Sequence, residues 1–189
     1  MIGGTSTINW MLYNRGNRRS FDTWANNYGA TGWDYNSILP YFIRSENNTS
    51  PNIVQTNPGY HGTMGPMGVS PMPHPDEILY LFQKQMNSFN IPTLDINGAN
   101  QLGTMIYELT VKNGIRSGTA NAYIDPNPYP NNLHILINSL VTQILFSNNN
   151  NNLTATGVQF RKNGVTYTVQ ATREVIISAG DSERKIFLL

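Results

Sequence analysis

The sequence of 189 residues has no cysteine. Disulfides and thiolate metal sites are therefore excluded within the chain, and redox compartment cannot be read from it. It has no excess of charge either: 12 Lys+Arg stand against 11 Asp+Glu, a net charge of +1. No basic stripe is present to follow a phosphate backbone, so nucleic acid is not expected as a partner. No apolar run reaches the length of about 18 residues that a membrane span requires. The first residues lack the basic segment and apolar stretch of a secretory leader. What is left is a chain long enough to bury a core, as one domain or pieces of two.

The most distinctive stretch is the first, MIGGTSTINWMLYNRG. Gly3-Gly4 followed by Thr5-Ser6-Thr7 gives a backbone with little side-chain bulk. Such a backbone can lie against a flat or phosphorylated ligand with its N–H groups facing it. Asn9 adds an amide that both donates and accepts. Spacing alone leaves the plainer reading open, a Gly-Gly turn that opens a helix.

Downstream, residues 17–28 read as a short helix, with Phe21, Trp24, Ala25 and Tyr28 on one face and Gly29 as its stop. Asp34 caps a turn through Ser37, and Pro40 is expected to interrupt it and open a second. Residues 51–75 are rich in Gly, Pro and Met, so no helix is expected there. His61 lies in this loop without a second His or a carboxylate at metal spacing, which argues against a metal or acid–base role. Residues 76–89 are the clearest helix, acidic at the N-terminus, with a stripe of Ile78, Leu81, Phe82 and Phe89 expected in the core. Residues 104–111 alternate as a strand, and Asn113-Gly114 marks a tight turn before Arg116. Arg116 reads first as a structural hydrogen-bonding residue, and second as a contact for an anion or substrate. From residue 132 onward the pattern is strands. Apolar runs at 133–138 and 174–178 suit buried parallel strands. They flank three antiparallel strands at 141–147, 156–161 and 165–170, the last two joined through Asn163-Gly164. The asparagines of 148–152 form a low-complexity hairpin tip, expected to be disordered. Glycosylation sequons occur at Asn47, Asn48 and Asn152, and matter only if the parent protein is secreted; nothing else bears on localisation.

Together these segments resemble the glucose-methanol-choline (GMC) oxidoreductases. The match rests on GGTSTINWMLYNRG, GWDYNSILPYFIRSE, YHGTMGPMGV, NGIRSGTANAYI and EVIISAG, and covers about residues 1–180. In style it is closest to the insect glucose-dehydrogenase-like branch. The resemblance implies an α/β (α+β) fold: part of a doubly wound FAD-binding domain with a β-meander, plus part of an antiparallel-sheet substrate domain. It divides the chain into 1–75 (cofactor motif, helices and interdomain loop), 76–131 (substrate-domain part) and 132–189 (second half of the FAD domain). FAD is the implied cofactor, and a small alcohol or sugar the substrate of the full-length parent. Thr5 and Gly4 would contact the cofactor, Asn9 would lie near the isoalloxazine ring, and Val141 would meet the adenine through its backbone. Ala179 and Gly180 would pass near the pyrophosphate.

The resemblance also implies gaps. The family places a strand and GxGxxG loop before this point, and its catalytic histidine after it. His61, His74 and His134 match no catalytic position. The expectation is therefore a fragment of an FAD-dependent oxidoreductase acting on CH–OH groups, inactive alone, with no catalytic residue of its own. The alternative is a truncated product that binds no FAD. A lectin-like interaction module fits the alternating strands but not the long motif. Two departures stand out: Gly118 replaces a usual serine at a helix start, and Asp181 with the charged residues after it replaces a neutral Gly-Ser-Pro-Gln turn.

Overall fold

The computed structural model describes residues 1–125, 127–149 and 152–180. The chain divides into two compact units, Met1–Tyr129 and Pro130–Leu189, and each is taken by itself.

In the first unit, a 3-10 turn at Gly4–Thr7 precedes helix α1 (Arg18–Tyr28). The Asn17 side chain accepts from Arg19 N to cap α1, and Gly29, at φ +70°, ends it in the left-handed conformation that glycine adopts freely. Helix α2 (Tyr35–Ser45), capped by Asp34, runs unbroken through Pro40, against the expected interruption. The loss of one backbone bond there is offset by aromatic packing. Phe21 of α1 meets Phe42 of α2 edge-on at 5.8 Å and also touches Tyr35.

Strand β1 (Glu46–Asn48) follows directly, then helix α3 (Pro51–Thr56), strand β2 (Met67–Pro71) and helix α4 (Glu77–Ser88). The loop expected over 51–75 therefore contains a helix and a strand. Pro51 sits at the start of α3, where a missing N–H costs nothing, and Pro71 closes β2 at its end. Helix α4 forms as its pattern requires, with the Asp76 carboxylate accepting from Ile78 N. Its stripe is not core: Ile78, Leu81 and Phe82 are all more than half exposed.

The strand expected over 104–111 is reduced to β3 (Glu108–Leu109) and β4 (Val111–Lys112), followed by β5 (Ile115–Arg116) and helix α5 (Thr119–Tyr123). β1 and β2 pair in parallel, β2 and β3 antiparallel, and β4 and β5 form a separate hairpin. Few apolar side chains are buried in this unit: Tyr13, Tyr35 and Val69. Around them lie Arg15, Glu46, Asn48, Ser50, His61, Asp95, Asn97, Glu108 and Ser117, all buried. The first unit is centred on a polar network.

The second unit is an antiparallel meander of β6 (Leu140–Asn149), β7 (Asn152–Lys162) and β8 (Val165–Gln170), in that order. Asn163 and Gly164, at φ +50° and +80°, make the tight turn between β7 and β8. Residues 133–138 and 174–178, expected as buried strands, form no strand among the described residues. Leu136, Ile137 and Ile176 are more than half exposed. A strand needs a lateral partner for its N–H and C=O groups, and apolar composition alone does not make one. The centre of the asparagine tip and Asp181 onward lie outside the described residues. Among the described residues no helix is long and apolar enough to cross a membrane.

Candidate functional site

The site begins with two left-handed glycines. Gly3 and Gly4, at φ +90° and +50°, turn the chain so that residues 4–7 coil tightly. Within that turn the hydroxyls divide into two sets. Ser6 Oγ donates to Gly3 O at 2.6 Å, and Thr7 Oγ1 donates to Ile2 O at 3.1 Å. The Thr5 hydroxyl is exposed and bonds to no protein group among the described residues, while Thr5 O accepts from Ile8 N and Asn9 N. A Cβ built on Gly4 meets no atom within 4 Å, so that face of the turn is open.

Beyond the turn the chain is held in place by an antiparallel run against residues 108–110. Tyr13 N donates to Glu108 O at 2.8 Å and Thr110 N to Met11 O at 2.7 Å. Met11 takes φ +63°, a left-handed value uncommon away from glycine. The Asn113-Gly114 turn sets Val111 opposite Arg116, and from there the Arg116 guanidinium reaches the first motif. Its Nη1 donates to Asn9 Oδ1 at 2.9 Å, Asn9 O at 2.8 Å and Ser6 O at 3.2 Å. The structural role for Arg116, weighed above an anion contact on sequence, is the one observed.

Gly118 departs from the usual serine, and it caps α5 without a side chain. The missing hydroxyl comes from elsewhere: Ser6 Oγ accepts from Thr119 N at 2.9 Å. The first motif therefore caps α5 from a distance of more than a hundred residues along the chain.

Behind the motif lies the polar network. Arg15 donates through Nη2 to Glu46 Oε2 at 2.7 Å, through Nε to the Tyr13 hydroxyl at 3.1 Å, and through Nη1 to Tyr60 O. The His61 ring bridges Glu46 and Asp95, at 3.0 and 2.7 Å. Asn48 Nδ2 links Glu46 to Glu108 at 3.1 and 2.9 Å, and Ser50 Oγ donates to Glu108. Burial alone would lower the His61 pKa, but the hydrogen bonds to Asp95 and Glu46, with their charges, override it and hold it at about 9. Burial raises Glu108, opposed by the bonds from Ser50 and Asn48. Sequence spacing gave no carboxylate near His61; the fold supplies two from distant elements. Among the described residues no group of three His, Cys, Asp or Glu is arranged to hold a metal. The network is a structural support beneath Tyr13 and Arg15.

The residues singled out from sequence fall into two sets. Gly4, Thr5 and Asn9 share one turn in the first unit. Val141, Ala179 and Gly180 lie in the second. Val141 pairs with Phe160, and the register then slips, so that Thr142 is an extra residue before Gln143 pairs with Gln159. That bulge leaves backbone beside Val141 outside the regular ladder. Ala179 is half-buried, and Gly180 is exposed at φ +85°. A cleft of about 550 Å³ lies elsewhere in the first unit, between α4 and residues 103–107, and touches none of these residues. Of the three sequons, Asn48 has its amide committed inside the network, whereas Asn152 is exposed at the end of β7.

The chain is 38% identical over 182 residues to Drosophila melanogaster glucose dehydrogenase [FAD, quinone], covering 95% of this chain and 28% of that protein. It is 33% identical to Bombyx mori ecdysone oxidase, covering 95% of this chain and 26% of the relative. A solved FAD-dependent oxidoreductase from Chaetomium thermophilum superposes with a TM-score of 0.74 at 28% identity, over 88% of this chain and 30% of that one. The chain thus spans less than a third of the length of these proteins. The family model described as GMC oxidoreductase matches residues 1–188, and the chain belongs to the GMC oxidoreductase family.

Proposed function

We propose that this chain is the flavin-contacting part of an FAD-dependent oxidoreductase that acts on the CH–OH group of a small alcohol or sugar. The observation that carries the reading is the division of labour in the 4–9 turn. Ser6 and Thr7 spend their hydroxyls on the turn itself, while the Thr5 hydroxyl, the open face of Gly4 and Asn9 Nδ2 are left uncommitted. These are the groups that the motif resemblance implies for the cofactor, and they fit a planar ligand that carries hydrogen-bond acceptors. Thr5 and Asn9 orient such a ligand, and Gly4 lets it approach the backbone. In the second unit, taken by itself, the Val141 backbone and the small residues Ala179 and Gly180 are the groups that the resemblance implies for adenine and pyrophosphate. FAD held there would supply a hydride acceptor for the carbinol carbon; the residues described here would bind and orient it, and none of them is assigned as a general base. If the parent is secreted, Asn152 is an exposed glycan site in this region.

The test is titration of FAD into residues 1–189, read by flavin fluorescence. Saturable binding is expected, weakened about fivefold by Thr5→Val, the effect of one neutral hydrogen bond. Binding that Thr5→Val leaves unchanged would remove Thr5 from the site. A second reading, a chain that holds no FAD by itself, is favoured by the exposed apolar residues of 133–137 and by Ile176. It predicts no binding, together with self-association of the free chain.

A further inference from the structure

Asn9 is held by the protein on one side of its carboxamide only. Its Oδ1 accepts from Met11 N at 3.1 Å and from Arg116 Nη1 at 2.9 Å. Both partners can only donate. An amide turned by 180° would set its NH₂ against two N–H groups, so a single orientation satisfies this half-buried environment. The same Arg116 nitrogen is fixed by Asn9 O and Ser6 O. Nδ2 has no protein partner among the described residues.

We propose that Arg116 is a positioning residue that locks Asn9 as a hydrogen-bond donor, so that the turn presents an NH₂ group to an acceptor on the edge of a planar heteroaromatic ligand. The identity of the ligand rests on the flavin reading above; the lock itself does not. A cation on the amide oxygen also polarises the group and strengthens donation from its nitrogen. The left-handed backbone of Met11 belongs to the same assembly: its N–H is held by Asn9 Oδ1 and its carbonyl by Thr110. A strained residue of this kind persists where its neighbours over-determine it. The ligand group it selects is an unprotonated ring nitrogen or a carbonyl oxygen, and an N–H at that point would be rejected because it faces a second donor.

The lock is tested in ¹⁵N-labelled protein together with FAD titration. The Asn9 side-chain NH₂ signals are expected to be sharp and distinct in the wild type. They should shift and broaden in Arg116→Gln, and recover in part in Arg116→Lys. Asn9→Asp keeps the acceptor for Arg116 and Met11 but removes the donor. It should melt at or above the wild-type temperature while binding FAD at least tenfold more weakly. Unaltered Asn9 signals in Arg116→Gln, or an Asn9→Asp protein that melts well below the wild type, would overturn the lock. Asn9→Asp binding FAD as tightly as the wild type would overturn the donor role. If the wild type takes up no FAD, the flavin reading fails, and the lock is decided by the NMR and melting results alone.

Discussion

His61→Gln tests whether the centre of the first unit is held together by charge. The imidazole lies fully inside the protein between Glu46 and Asp95. A pKa of about 9 in the folded chain, against an ordinary 6.5, means that the folded state binds the proton more tightly than the unfolded one. At about 1.4 kcal/mol for each pH unit of difference, the protonated ring contributes about 3 kcal/mol. The sign follows from the direction. The contribution is complete below about pH 6.5 and is lost as pH rises toward 9. Glutamine cannot span both carboxylates and does not titrate. The other ionisable groups of the network, Arg15, Glu46, Asp95 and Glu108, are present in both proteins.

The assay is urea denaturation of wild type and variant at steps from pH 6 to pH 9.5. The stability difference between the two should be largest at pH 6 and should shrink by about 3 kcal/mol across the range. Total domain stability is only about 5–15 kcal/mol, so a change of this size moves the midpoint visibly. Should His61→Gln fail to fold, the wild-type curve alone carries the test through its slope above pH 6.5. Two parallel curves, or a flat wild-type profile between pH 6.5 and 9, would refute the reasoning. The ring would then be neutral in the folded chain.

Two further substitutions probe how the motif is supported. A methyl on Gly62 would lie 1.9 Å from Ile43 O and 2.9 Å from Glu46 O, both backbone. Gly62→Ala should therefore cost on the order of 3 kcal/mol in chemical denaturation, well beyond an exposed alanine replacement. Ser6→Ala removes the cap on Thr119 N and should lower stability by about 1 kcal/mol in thermal melts. Thr7→Ala, which removes one exposed bond to Ile2 O, is the control and should cost less.

The parts of the fold that sequence reveals are those whose determinants are local. Asn17 and Asp76 cap α1 and α4 within two residues of themselves, and Asn163-Gly164 fixes the hairpin by its own backbone preference. Proline misled where its position in a helix mattered more than its presence: Pro51 starts α3, and Pro40 is carried inside α2 by aromatic contacts with α1. The apolar runs at 133–138 and 174–178 have strand composition, but a strand is a property of two segments, and neither run is a strand in any sheet of the described residues. The polar network was invisible for the same reason. Arg15, Glu46, His61, Asp95 and Glu108 follow no spacing rule and meet only because the strands and loops bring them together.

The candidate site was legible to a different depth at each residue. Gly4, Thr5 and Asn9 stand out because the motif is continuous, but sequence could not divide its hydroxyls into those spent on the turn and the one left free. Gly118 shows why. Taken as a local departure, the loss of a serine there weakens the start of α5. In the folded chain Ser6 Oγ occupies that role, and a Cβ at position 118 would lie 3.2 Å from it. The glycine makes room for the hydroxyl that replaces its own. Ser6 then ties the motif to α5 at the same place where Arg116 ties it to β5, so the open turn carrying Thr5 and Asn9 is fixed from both sides by residues more than a hundred positions away. A turn with two adjacent glycines would otherwise be the most mobile part of the unit, and those two anchors let it present uncommitted groups in a defined arrangement.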